Sequence, residues 1–235
     1  RILVLEVPSG QVSGSIPLPG RPTGLVLNPD GSKLYVTCGA ARSVVVIDPA
    51  LGGTVATIPA GHTAMGPSVT PDGKLLCVAS RFDNDVSVID LKGGTQVARV
   101  PVTREPVATA ITPDGKSILV ANHLPADRSD SFYVTAVVTI VDVATLETTD
   151  VRLPNGSTGL RGLCVSPDGR HAYVTHVLGN YELVPAQVVG GWTNTNVLSV
   201  IDTTNKKLLD TVLLDDRSLG AANPWGVATT ADGSR

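Results

Sequence analysis

The sequence predicts an all-β protein, a β-propeller made of four-stranded antiparallel blades. Three observations lead there. A Pro-Asp-Gly turn recurs at Pro29-Asp30-Gly31, Pro71-Asp72-Gly73, Pro113-Asp114-Gly115 and Pro167-Asp168-Gly169, with a degenerate copy at Ala231-Asp232-Gly233. An aliphatic residue followed by Asp trails each of the first four turns, at Ile47-Asp48, Ile89-Asp90, Val141-Asp142 and Ile201-Asp202. Between these markers lie short runs rich in Val, Ile and Thr, which suit a pleated surface. A lone four-stranded sheet cannot bury both faces, so sheets repeated at about 42 residues read as stacked propeller blades.

Taken in order, residues 1–20 read as strands C and D of one blade, Ile2 to Glu6 and Val12 to Leu18. Full blades follow at 21–62, 63–104, 105–158 and 159–222, and 223–235 begins another with a strand A at 224–230. In the first full blade, strand A is Gly24–Leu27, B is Lys33–Thr37, C is Ser43–Ile47 and D is Thr54–Ile58. Pro-Asp-Gly makes the A–B turn, because Pro presets φ, Asp bonds nearby backbone and Gly accepts positive φ. Gly52-Gly53 and Gly93-Gly94 mark C–D hairpins. Blades three and four are longer, and most of the extra length falls between strands B and C. The whole chain, 1–235, is thus expected to be one incomplete propeller domain with four complete blades and parts of others.

Composition narrows the function. Net charge is −3, so no global basic field recruits nucleic acid. No apolar run approaches the length of a membrane-spanning segment. Cys38, Cys77 and Cys164 are widely spaced, lie in β-like runs and read as single buried thiols. Cys-x-x-Cys-His is absent, so this segment attaches no c-type haem. The sequence also holds no Gly-x-Ser-x-Gly elbow, His-Glu-x-x-His or phosphate loop. Asp48, Asp90, Asp142 and Asp202 recur once per blade, which suits turn caps rather than a catalyst.

The ends of strand B carry a further pattern: Tyr35-Val36-Thr37-Cys38, Cys77-Val78-Ala79-Ser80, Leu119-Val120-Ala121-Asn122 and Tyr173-Val174-Thr175-His176. With the Pro-Asp-Gly turn before and Val-Ile-Asp after, this resembles the Tyr-Val-Thr-Asn repeat family of β-propellers. The resemblance implies seven blades in the intact protein and a periplasmic, extracellular or cell-surface location. The long insertions resemble a subgroup joined to di-haem cytochrome c peroxidase-like domains. On that resemblance, haem would reside only on a fused or partner domain. Wider relatives include lactonases, but no lactonase residue set maps onto this chain.

Strand alternation places the D–A and B–C loops on one face, the elaborated one, and long loops in a compact domain tend to carry function. His62, His123 and His176 fall there, with Met65 close in sequence, a set that suits copper if the side chains meet. The alternative for each imidazole is a hydrogen bond to a loop carbonyl. Asp127 and Asp130 lack the ladder of a calcium loop, and an ion pair with Arg128 is the simpler reading. The blade-four insertion, His176 to Asn196, holds Tyr181 and Trp192 in a chain that is 3% aromatic. Such side chains anchor interfaces. Aligned starts of strand A diverge, and Arg21, Arg104, Glu105, Arg161 and Trp225 form a rim suited to an anionic ligand or a partner domain. The leading expectation is a binding or scaffold module without catalysis of its own that docks a protein partner. The alternative is a lactonase-like hydrolase or a metal-dependent oxidoreductase using the histidines.

Overall fold

The computed structural model describes residues 1–180, 193–215 and 223–235, and every regular element among them is a β-strand. Two compact units are present, Arg1–Pro101 and Val102–Arg235. The first holds the hairpin β1 (Ile2–Leu5) and β2 (Val12–Ile16). Blade one follows as β3 (Pro22–Leu27), β4 (Leu34–Cys38), β5 (Ser43–Asp48) and β6 (Gly53–Pro59), and blade two as β7 (Ala64–Val69), β8 (Leu75–Ser80), β9 (Asp85–Asp90) and β10 (Thr95–Pro101). In the second unit, blade three is β11 (Pro106–Ile111), β12 (Ser117–Asn122), β13 (Val137–Asp142) and β14 (Thr148–Arg152). Blade four comprises β15 (Ser157–Thr158), β16 (Leu163–Val165), β17 (His171–Gly179), β18 (Asn194–Asp202) and β19 (Lys207–Leu213), with β15 and β16 both pairing β17. Each sheet is antiparallel and consecutive, the A-B-C-D order of a propeller blade.

Strands B and C are continuous apolar runs because both of their faces are covered. Val44, Val46 and Ile58 of blade one pack with Ala64, Leu76, Val78 and Ile89 of blade two. Leu119, Val138, Ile140 and Val151 of blade three pack with Leu160, Ala172, Val174 and Ile201 of blade four. Ile16 joins Val36, Val45 and Ile47. Each such aliphatic side chain contributes about 1.5–3 kcal/mol when fully buried. Close approach of the inner strands needs glycine at Gly24, where a Cβ would stand 2.6 Å from Pro67 Cδ.

The A–B turn is a larger device than its three letters. The residue before the turn triplet is Asn28, Thr70, Thr112, Ser166 or Thr230, and its side-chain oxygen accepts the backbone N–H five residues on. These hydroxyls also donate to the turn aspartate, at 2.6 Å in Thr70–Asp72 and Thr112–Asp114 and 2.5 Å in Ser166–Asp168. The Gly takes φ of 69–73° in all five copies. Asp48, Asp142 and Asp202 each accept two successive backbone N–H groups of the C–D turn, and Asp90 accepts one. They are turn caps.

Three expectations are corrected. Residues 224–230 form no strand, since none of the described strands pairs with them to make a ladder. His176 does not open a loop: β17 and β18 run on as a paired hairpin to Gly179 and Asn194, so His176 lies inside the sheet opposite Val197. Cys164 is only half-buried, unlike Cys38 and Cys77, and none of the three forms a disulfide.

Candidate functional site

The backbone ahead of strand A turns through the left-handed region in several blades, at Thr63 (φ 54°), Glu105 (φ 49°), Gly159 (φ 66°) and Asn223 (φ 46°). That turn aims the start of the inner strand at the loop end of the blade. In the second unit it brings four predicted rim or metal residues into one framework. His123 N–H donates to Glu105 O at 2.9 Å, and Gly159 N–H donates to His123 O at 2.8 Å. His123 Nδ1 lies 2.9 Å from Leu160 O. A carbonyl only accepts, so Nδ1 is the donor in this bond.

The next residue, Arg161, is fixed from both sides. Leu160 is fully buried, Arg161 N–H donates to Thr175 O at 3.1 Å, and Gly162 N–H donates to Thr175 Oγ1 at 3.0 Å. A Cβ on Gly162 would meet the backbone of Gly226 and Val227 at 3.0 and 2.9 Å, so glycine lets that segment lie close. The approach sets the Trp225 indole over the Arg161 guanidinium at 4.1 Å, within cation–π range, while the indole keeps 69% of its surface exposed. Among the described residues, Arg161 belongs to no ion pair. Its guanidinium therefore offers N–H donors beside an aromatic face.

The blade-three insertion is braced throughout. Arg104 Nη1 donates to Pro125 O at 2.9 Å. Arg152 grips both oxygens of Asp127, at 3.2 and 2.9 Å, and stands 5.0 Å over the Tyr133 ring. Hydrogen bonds from Arg152 and from the Thr135 backbone hold the Asp127 carboxyl below the usual range. Arg128 pairs with Asp130 through two bonds, at 3.0 and 2.7 Å. Thus each aspartate has an arginine, and Arg128 takes Asp130 alone. Tyr133 Oη donates to Leu153 O at 2.7 Å, and Asn155 clamps the turn through Val134 N–H and Phe132 O. On this fixed backbone the Phe132 side chain is 88% exposed. Sequence reading overlooked Phe132. The available signal was an aromatic pair after Arg128-Ser129-Asp130-Ser131, a polar loop with nothing apolar to bury it.

Elsewhere the predicted residues separate. In the first unit, His62 Nδ1 lies 2.9 Å from Thr63 Oγ1, and its ring meets Phe82 edge-on at 5.4 Å. Met65 sits within β7 opposite Ala79, and Arg21 is exposed. In the second unit, His176 is fully buried, with Nε2 2.8 Å from Ser199 Oγ, itself 2.8 Å from Thr211 Oγ1. Burial pulls the imidazole down to about 4. The same strand-B position holds Asn122 in blade three, which bonds Thr139 and, through it, Asp150. In blade two it holds Ser80, which bonds Ser87 at 3.2 Å. The histidine thus occupies a repeated polar relay inside the blade. Among the described residues, no group of three or more His, Cys, Asp or Glu is close enough to hold a metal ion. Tyr181 and Trp192 lie outside the described residues. No described helix is long and apolar enough to cross a membrane.

No protein-family model matches the chain, and no curated protein matches it. Among solved structures, it is similar to a Kuenenia stuttgartiensis hydrazine synthase chain at 27% identity, with TM-score 0.85 over 97% of this chain. It is also similar to a functionally unknown protein from Desulfotomaculum acetoxidans DSM 771 at 19% identity, with TM-score 0.71 over 98% of this chain. The chain spans 64% of the first structure and 66% of the second.

Proposed function

We infer that this chain is a propeller scaffold that docks a protein partner through its elaborated loops. The observation that carries the reading is Phe132: an almost fully exposed phenyl on a loop whose backbone is already fixed by Arg152, Asn155 and Tyr133. A pre-ordered aromatic binds without the entropic cost of arranging its loop. Burying the ring is worth about 2–3 kcal/mol. The likeness to the hydrazine synthase chain supports a propeller scaffold. Recurring Pro-Asp-Gly turns and strand-B ends support reading the chain as a Tyr-Val-Thr-Asn repeat propeller. The partner is a di-haem cytochrome c peroxidase-like electron-transfer domain, fused or separate, and the assembly works in the periplasm or at the cell surface.

Titration of the chain with such a domain, followed by calorimetry, tests this. Saturable binding is expected, and Phe132→Ala should weaken it by about 30-fold or more, as loss of the ring's burial requires. Val55→Ala, an exposed position on β6, should leave it unchanged. Equal affinity of wild type and Phe132→Ala would remove this loop from the interface.

A further inference from the structure

We propose that Arg161, stacked on Trp225, is a carboxylate receptor at the loop end of blade four. The inference deepens the docking function and rests on it only for the source of the carboxylate.

Among the described residues, Arg161 has no carboxylate partner. In this chain the arginines at Arg99, Arg128 and Arg152 each have a carboxylate at hydrogen-bond distance. Arg161 has an indole instead, 4.1 Å away. The indole covers one face of the guanidinium and leaves its edge, where all five N–H donors lie, without a carboxylate among the described residues. Guanidinium donors form a planar fork that fits a carboxylate through two parallel bonds. Stacking also removes rotamer freedom before a ligand arrives, so less is lost on binding.

The neighbouring geometry is built for a fixed position rather than a solvated edge. Leu160 anchors the chain in the core, Thr175 holds residues 161 and 162 through backbone and hydroxyl bonds, and Gly162 admits the Gly226–Val227 backbone. His123 adds an imidazole whose Nδ1 donates to the Leu160 carbonyl, one residue from the arginine. The pair needs both residue types and occurs at a position that the other blades fill with Thr23, Met65 and Val107. A turn or packing requirement would recur in every blade. This pair does not.

Trp225 reports directly on the site. The chain has two tryptophans, so Trp192→Phe leaves Trp225 as the sole indole. Its emission is followed in that background while acetate, a hexaglutamate peptide and inorganic phosphate are titrated at constant ionic strength. Saturable changes with the carboxylate probes are expected. Arg161→Gln should weaken them at least about tenfold, in line with the strength of charge-assisted bonds. Arg161→Lys, which keeps the charge and the stacking but not the fork, should retain only part of the affinity. Hexaglutamate binding more than tenfold tighter than acetate, per carboxylate, identifies acidic side chains of a partner as the source. Equal affinity identifies a free small carboxylate. An absent saturable response, a response unchanged in Arg161→Gln, or a response to phosphate alone overturns the proposal. Phe132→Ala must leave these titrations unchanged. If carboxylate binding fails while the peroxidase-like domain still binds through Phe132, only this inference falls.

Discussion

Lowering the pH should destabilise the fold through one residue, His176. Its side chain is fully buried in β17, and desolvation pulls its folded value from 6.5 to about 4. Val177 O and Ser199 Oγ are its neighbours, and neither offers a counter-charge. The unfolded chain therefore takes up a proton near pH 6.5 while the folded chain refuses it until about pH 4. Stability is fully present above pH 6.5, falls between 6.5 and 4, and is level below that as far as this group is concerned. At about 1.4 kcal/mol per pH unit, the loss amounts to roughly 3 kcal/mol. The perturbation that isolates it is His176→Asn, since Asn122 already fills the equivalent position in blade three and bonds the facing Thr139. Urea unfolding is followed by circular dichroism from pH 7.5 to 4 for both chains, with the denaturant slope checked for constancy. Subtracting the two profiles cancels His62, His123, His171 and the carboxylates. Wild type should lose about 3 kcal/mol more than the variant across the window. Parallel profiles would mean that His176 is solvated or paired in the folded state, and the buried-relay account would be wrong.

Other outcomes follow from the turns and the inner strands. Leu146 adopts φ 61° at the C–D position that Gly52 and Gly94 fill in blades one and two, so Leu146→Gly should stabilise blade three by about 0.5–1 kcal/mol in thermal unfolding. The Thr70 hydroxyl, with Lys74, holds the Asp72 carboxyl down from 3.8 to about 2. That contribution is present above pH 3.8 and is lost as pH falls toward 2, and Thr70→Val should raise the Asp72 value in an NMR titration. Gly24→Ala places a Cβ 2.6 Å from Pro67 Cδ and should cost about 1–3 kcal/mol by denaturant titration, without altering carboxylate binding at Arg161.

The repeat was legible because it is local. A Pro-Asp-Gly turn closes over a few residues, and its Asp and Gly act within the turn itself, so their letters announce it. The hydroxyl before the turn triplet is equally local, at Thr70, Thr112, Ser166 and Thr230, yet it is less legible because it is a residue class rather than one identity. Strand order followed from the markers, and the caps at Asp48, Asp90, Asp142 and Asp202 followed from their recurrence. The site was less legible. His123 and Arg161 were readable as rim or loop residues, but a loop histidine and a strand histidine look alike in sequence. His176 therefore joined a metal set although its ring points into a hydroxyl relay.

What the sequence determined by itself was periodicity: four blades, their turn chemistry and the apolar character of strands B and C. Each depends on contacts between residues close along the chain or on a face whose burial is set by the repeat. Only the tertiary structure decided which side chains meet. Arg161 and Trp225 are 64 positions apart in sequence and stack because Gly162 lets a distant backbone approach. Phe132 is exposed because Arg152, Tyr133 and Asn155 consume the polar groups that could have folded its loop over it. Pairings of that range are set by the geometry of adjacent blades, and no local pattern of letters records them.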